Sequence, residues 1–337
     1  MKNRDQKRIL ISRPDRIGDV ILSTPMPREI KKKYPDSFVA MLLRNYTADI
    51  FKHNPFVDAI ILIDDGKTFY QKITELRKFN FKYGLMLLPN ERINYLLYFA
   101  GIKNRIGVGH KFYQFITNVK SVYRNKYIPL RHEADYCMDL ARKIGVETDN
   151  LKTEIYLSDD EIISSYKKKE KFLEGKKYLV GIHSTSGNSA PNWTRPRYRA
   201  LVDELVKKSE YKIAVTDNDI PAELENIPGV IYPNINSDLR SSIINFSALD
   251  VLISASTGPM HIAAALNVKT VSLFCPLTAC SPILWGPSGN KKKIILPKPD
   301  YCQNKCPGDP KICTLEGEGG IDVESVSSNL RDVLNVS

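Results

Sequence analysis

Eight short runs rich in Ile, Leu and Val recur along the chain: residues 8–12 (RILIS), 38–43 (FVAMLL), 59–63 (AIILI), 83–88 (YGLMLL), 178–183 (YLVGIH), 212–216 (KIAVT), 250–255 (DVLISA) and 270–275 (TVSLFC). Amphipathic stretches of helical length lie between them, at 19–33, 67–79, 134–144, 197–208 and 237–246. A near-continuous apolar run followed by a helix, repeated, predicts an α/β protein whose parallel strands are covered on both faces. The charged segment 158–177 (SDDEIISSYKKKEKFLEGKK) separates two such series. It is expected to be both the connection and a surface helix with a solvated lysine face. The predicted organisation is therefore 1–157, 158–321 and a terminal helix within 322–337.

Length agrees with two domains, since 337 residues at roughly 150 per domain leave each half long enough to bury its own core. At 42% hydrophobic and 26% charged residues, the composition excludes disordered and fibrous classes. No run approaches the roughly 18 consecutive apolar residues needed to span a bilayer. The start, MKNRDQKRIL, lacks the apolar core of a secretory signal, so the six cysteines are expected reduced, in cytoplasm. Charge is divided unevenly. Residues 1–157 carry 28 Lys and Arg against 17 Asp and Glu, a net +11, whereas residues 158–337 carry 21 against 21. A basic half joined to a neutral half predicts that the first meets something anionic: phosphate, nucleic acid or a membrane surface.

Three segments can carry chemistry. Residues 9–12 (ILIS) and 251–254 (VLIS) both run into a glycine-containing loop and a probable helix, at Gly18-Asp19 and at Thr257-Gly258. In a doubly wound sheet such loops lie at the carboxyl ends of strands, where ligands bind, and two halves facing each other would leave a cleft between them. In Arg13-Pro14-Asp15-Arg16-Ile17-Gly18-Asp19, Gly18 permits a tight turn and Asp19 falls at the helix opening, where taken alone it reads first as a cap. Ser256-Thr257-Gly258-Pro259-Met260-His261 combines small residues, a proline suited to a first helical turn and a histidine donor, the makings of an anion site on a helix N-terminus. The loop Gly181-Ile182-His183-Ser184-Thr185-Ser186-Gly187-Asn188 offers a second phosphate contact, with Arg195, Arg197 and Arg199 nearby. Some of these arginines are expected only to decorate a helix surface. Cys302, Cys306 and Cys313 have no fourth ligand at zinc spacing, so no metal is expected.

These residues resemble the heptosyltransferases of glycosyltransferase family nine, which build the lipopolysaccharide inner core. The resemblance rests on RIGDVILSTPMPREIKKKYP, LLPN at 87–90, RIGVG at 105–109, HEADYCMDLARKIGV at 132–146 and STGPMHIAAALNVKTVSLFCP at 256–276, collinear over nearly the whole chain. It implies the GT-B architecture, two Rossmann-like domains facing across a cleft, with acceptor bound mainly by the first and sugar nucleotide by the second. It implies an inverting, metal-independent transferase with no cofactor, whose co-substrate is a nucleoside-diphosphate sugar, typically ADP-heptose. By position, Asp19 matches the catalytic base, Thr257, Gly258 and His261 match the diphosphate contacts, and the carboxyl-terminal helix would pack back on the first domain.

Around those matches, Ser184, Thr185, Ser186, Arg195, Ser256, Pro259 and Met260 complete the expected donor side, and Arg13, Arg16, Gly18 and Asn90 the acceptor side. Two positions depart from the pattern. Ser256 stands where many members have aspartate, which leaves the donor sugar open, and Pro191 stands where a lysine commonly precedes the donor-loop tryptophan, here Trp193. Arg195 is the candidate replacement for that charge.

In the expected reaction Asp19, taken as an ordinary carboxylate of pKa about 4, accepts the acceptor's proton late, while the diphosphate leaves from the opposite face. The basic first half would draw an anionic glycolipid or core oligosaccharide at the inner face of the cytoplasmic membrane. Other readings are a GT-B transferase with another donor, a sugar-nucleotide epimerase, and a scaffold or nucleic-acid-binding protein. Against the last, no helix-turn-helix or RNA-binding signature and no aromatic stacking platform is evident.

Overall fold

The computed structural model describes residues 6–125, 127–187 and 190–335, so Asn188 of the third motif lies outside the described residues. The chain divides into two units, Met1–Tyr156 and Leu157–Ser337.

The first unit holds strands β1 (Arg8–Ser12), β2 (Phe38–Leu43), β3 (Ala59–Leu62), β4 (Tyr83–Met86), β5 (Asn104–Val108) and β6 (Lys120–Val122). They form one parallel sheet in the order β3-β2-β1-β4-β5-β6. The second unit holds β7 (Tyr178–His183), β8 (Tyr211–Val215), β9 (Val230–Ile231), β10 (Val251–Ala255), β11 (Lys269–Leu273) and β12 (Lys292–Ile295). Its sheet is also parallel, in the order β12-β11-β10-β7-β8-β9. Read from its own first strand, this is the same doubly wound order as in the first unit. The α/β class and the paired Rossmann-like halves of a GT-B fold are thus present.

All eight apolar runs are strands. The central ones are buried almost end to end, as helices on both faces demand. The strands without an apolar signature are β5, which carries Arg105 and Gly107, and the short edge strands β6, β9 and β12.

Two expectations need correction. The stretch 19–33 is two helices, Ile17–Ile21 and Pro25–Lys33, because Pro25 and Pro27 cannot sit in a helix interior but suit a new first turn. Gly18 makes no tight turn: it lies inside the first of these helices and is not among the glycines with positive φ. The terminal helix is Val323–Leu334. Its stripe of Val326, Leu330, Val333 and Leu334 is buried in the second unit's core with Val251, Val271 and Leu273, and the helix lies along β11 and β12.

The expected connection is the helix Asp159–Leu173, opened by a Ser158–Glu161 capping box. It is tied into the second unit by Arg240–Glu161 and Lys169–Asp250 ion pairs, each 2.5 Å. Part of its basic face is therefore engaged with protein.

Candidate functional site

In a doubly wound sheet the ligand crevice opens where strand order reverses, outside the carboxyl ends of the two central strands. In the first unit these are β1 and β4. The chain leaving β1 supplies Arg13 to Asp19, and the chain leaving β4 supplies Leu87 to Asn90.

Arg13 is buried, its side chain only 3% exposed, and it organises this end of the sheet. One guanidinium nitrogen, Nη2, donates to Asp19 Oδ1 at 2.8 Å and to Glu133 Oε1 at 3.1 Å. Its Nη1 donates to the Leu87 carbonyl and its Nε to the Asp19 carbonyl, both at 3.2 Å. A single arginine thus clamps the ends of β1 and β4 together and fixes the Asp19 side chain. Glu133 is itself buried and accepts from Arg124 at 2.8 and 2.9 Å; Arg124 lies over the Tyr136 ring. A buried guanidinium flanked by two carboxylates meets the requirement that buried charge be paired.

Asp19 sits in the first turn of its helix, but the N-cap is Arg16 and no side chain caps it. The carboxylate therefore has a role other than capping. Its side chain keeps 21% exposure. Burial pushes its pKa up to about 6; Arg13 opposes this, and Asp15 and Glu133 add to it. The expectation of an ordinary carboxylate is thereby corrected. Arg16 is exposed. Asn90 accepts from the Ile93 N–H at 3.0 Å and caps the helix Glu91–Phe99, so its side chain is engaged structurally.

In the second unit the central strands are β7 and β10, with His183 in register with Ser254. The chain leaving β7 is held by Asp217, a fully buried residue just past β8. Asp217 accepts from the Ser184 N–H at 3.0 Å, the Thr185 N–H at 2.7 Å and both side-chain hydroxyls. Burial would raise this carboxyl, but His183 and these donors outweigh it and hold Asp217 below the usual carboxylate range. Burial in turn lowers the His183 pKa, with Asp217 opposing it, and the ring lies between the hydroxyls of Thr216 and Thr185 at 3.2 Å each.

Arg195 donates to the Ser184 carbonyl, which also accepts from Asn192 at 2.8 Å. Arg195 therefore braces this loop, while Arg199 pairs with Asp203 at 2.8 Å on the helix surface. Trp193 is core, its indole N–H donating to the Ile321 carbonyl at 3.2 Å.

The chain leaving β10 opens the helix Gly258–Ala265, with Thr257 as N-cap and Pro259 in the first turn. The first N–H groups of a helix have no carbonyl of their own helix to reach. Thr257 does not cap them with its side chain. Its hydroxyl is buried with no hydrogen-bond partner among the described residues. A buried hydroxyl left unpaired at the start of a helix is an arrangement that an anion completes. His261 is buried in the same turn, and Ser256 is half-buried. Met260 is fully buried, so its backbone N–H is what it can offer.

The predicted residues thus gather at the two switch points, Arg13, Gly18, Asp19 and Asn90 in one unit and Ser184, Thr185, Arg195, Thr257, Gly258 and His261 in the other. Sequence reasoning missed Glu133, Arg124 and Asp217. Asp217 carried a readable signal, as an aspartate directly after a buried strand in the TDND segment. Cys302, Cys306 and Cys313 form no disulfide, and among the described residues no cluster of three or more His, Cys, Asp or Glu side chains could hold a metal ion.

The model of glycosyltransferase family 9 (heptosyltransferase) matches residues 73–309. Lipopolysaccharide heptosyltransferase 3 of Escherichia coli is 24% identical over 301 residues, covering 81% of this chain and 84% of that protein. A glycosyl transferase family 9 structure from Veillonella parvula superposes with a TM-score of 0.79 at 20% identity, over 99% of this chain and 98% of that one. The E. coli ADP-heptose lps heptosyltransferase II gives 0.74 at 18% identity, over 97% and 98%. These structures carry the same GT-B fold. With more than half of its length matched by the family model, this chain belongs to glycosyltransferase family 9, the heptosyltransferases, and is a glycosyltransferase.

Proposed function

We propose that this enzyme transfers heptose or a closely related sugar from an ADP-activated donor to an anionic acceptor of the lipopolysaccharide-core type, with inversion. The observation that carries this reading is Asp19, fixed by Arg13 at a switch point, part-exposed, and raised to about 6. At neutral pH it is ionised, yet it is about a hundredfold stronger as a base than an ordinary carboxylate.

Asp19 takes the proton of the acceptor hydroxyl as that oxygen bonds to the anomeric carbon. The bond to the diphosphate breaks on the opposite face, and its electron pair leaves with the diphosphate. Thr257 Oγ1, the N–H groups of Gly258, Met260 and His261, and the His261 ring receive that charge; preorganised donors of this kind are worth about 3 kcal/mol each. Ser184, Thr185 and Ser186, held by Asp217 and Arg195, form the donor loop, and Ser256 faces the sugar. Arg16 meets the acceptor's anionic groups, and Asn90 supports that side as a helix cap. No cofactor takes part, nucleic acid is not a substrate, and the setting is the cytoplasmic face of the inner membrane.

Support for the ADP donor comes from the name of the E. coli structural neighbour, an ADP-heptose transferase. A thermal-shift series with ADP, UDP, ADP-heptose, ADP-hexoses and UDP-sugars tests it, because a ligand of the native state raises the melting temperature. ADP-heptose is expected to give the largest rise. Equal rises with UDP-sugars, or none with any ADP compound, would overturn the donor assignment.

A further inference from the structure

After β5 comes a five-residue helix, Phe112–Ile116, that is amphipathic in the wrong sense for a water-soluble surface. Phe112, Phe115 and Ile116, spaced to share one face, are 79%, 84% and 56% exposed, while Gln114 is buried. The burial is specific. Gln114 Nε2 donates to the Val108 carbonyl at 3.1 Å, and its Oε1 accepts from the Lys111 N–H at 2.9 Å. A Cβ on Gly107 would lie 2.9 Å from Gln114 Nε2, so Gly107 in β5 makes the room. Behind it, Thr117 bonds Asn94 at 2.9 Å, both side chains buried, and Arg105 donates to the Thr117 carbonyl. A polar network on the inner side therefore holds three apolar side chains outward. Tyr123, 62% exposed, lies tilted against the His110 ring, 5.3 Å between centroids, at the adjoining end of β6.

The segment that carries this face is basic, with the exposed Glu91, whose charge reaches Tyr113, just ahead of it. From residue 92 to 132 the chain contains eight Lys and Arg and no Asp or Glu. Lys103, Lys111 and Lys120 are exposed. Because the sheet is parallel, the helix springs from the same carboxyl edge as Arg13 and Asp19, with β5 two strands from β1 in the order β1-β4-β5. Isolated exposed apolar residues need no explanation, but aromatic and aliphatic side chains held on one helical face inside an acid-free basic segment match an anionic bilayer's headgroup boundary. A single-stranded nucleic acid would use flat aromatic platforms, to which Ile116 contributes nothing.

We infer that Phe112, Phe115 and Ile116, with Lys111 and Lys120, form the surface by which this enzyme docks on anionic lipid, with its acceptor-side edge toward the membrane. The inference deepens the proposed function and rests on it only for the acceptor being lipid-borne.

The test uses the full chain with vesicles of phosphatidylglycerol and phosphatidylethanolamine, against vesicles of phosphatidylcholine alone. Wild type is expected to bind the anionic vesicles and to lose binding as salt rises. The pair Phe112→Ser and Phe115→Ser should weaken partitioning about tenfold or more, with thermal melting and transfer to a deacylated, soluble acceptor unchanged. The pair Lys111→Glu and Lys120→Glu should weaken it with the same two controls unchanged. In Phe115→Trp, emission should shift blue on vesicles and be quenched by brominated lipid beyond the wild-type signal.

Absent wild-type binding, undiminished binding by the serine pair, or no added quenching would overturn the inference. So would a serine pair that keeps vesicle binding but changes oligomeric state, or that instead loses oligonucleotide binding. Vesicle binding needs no sugar nucleotide. Transfer failing while docking holds therefore removes the proposed function alone, and the reverse removes only the docking surface.

Discussion

A carboxylate that must accept a sugar hydroxyl's proton near neutral pH gains basicity from burial and from like charge, and Asp19 has both: it is largely withdrawn from water and close to Asp15 and Glu133, with Arg13 tempering the effect. Since the ionised form acts, kcat/KM should fall as pH drops below about 6, approaching tenfold per unit, with an apparent pKa near 6; a limb near 4 would contradict the geometry described. Glu133 raises the Asp19 pKa by its charge and fixes Arg13 from the other side. Glu133→Gln should therefore move that acidic limb to lower pH, reduce kcat, and cost roughly 3 kcal/mol in denaturant unfolding, the scale of breaking a buried ion pair. A mutant with an unmoved limb would deny Glu133 any influence on Asp19. Asp19 was legible only through the family resemblance, because the local pattern alone reads first as a helix cap. Its partners were not: Arg13 and Glu133 are 120 positions apart, and only the packing of the helix Glu133–Arg142 joins them.

Among the elements, those following β7 and β10 show how two loops become a receptor. The Asp217 carboxylate ties two successive N–H groups, and the helix after β10 begins without a cap from the Thr257 side chain. Thr257→Val keeps the shape and removes a hydroxyl that no described residue satisfies. It should leave thermal stability equal or slightly higher while weakening donor binding by about tenfold, the value of one hydrogen bond to a charged group. Unchanged affinity in calorimetry would separate Thr257 from the donor. Asp217→Asn replaces an acceptor of four donors by an amide that must turn N–H groups toward them, so the donor KM should rise about tenfold with kcat little altered. A fall in kcat alone would mean that the loop serves the reaction and not binding. Seven interior strands and the edge strand β3 were readable as apolar runs, because burial on both faces leaves such a run, while interior β5 was not. The edge strands β6, β9 and β12 were not, since a strand with one neighbour needs little apolar sequence. Gln114 escaped notice because an inward-facing glutamine depends on Gly107 beneath it, a pairing across strand and helix.

For the molecule as a whole, two units repeat one strand order with different surfaces: the first is the basic one, the second neutral, and the first also bears Asp19 and the exposed apolar helix. The α/β plan of both was legible in the repeated strand-helix pattern, whereas the strand order was not. The seat of the terminal helix was not, because an amphipathic stripe states that a face is buried without stating against what. Among the described residues no helix is long and apolar enough to cross a membrane. The central claim is chemical, and one measurement reaches it: single-turnover transfer from ADP-heptose to a deacylated core acceptor, comparing wild type with Asp19→Ala at matched donor occupancy. The account predicts an inverted anomeric product from wild type, loss of transfer by about a thousandfold or more in the variant, and donor affinity within about twofold. Retained configuration, or a variant that still turns over at a comparable rate, would contradict it.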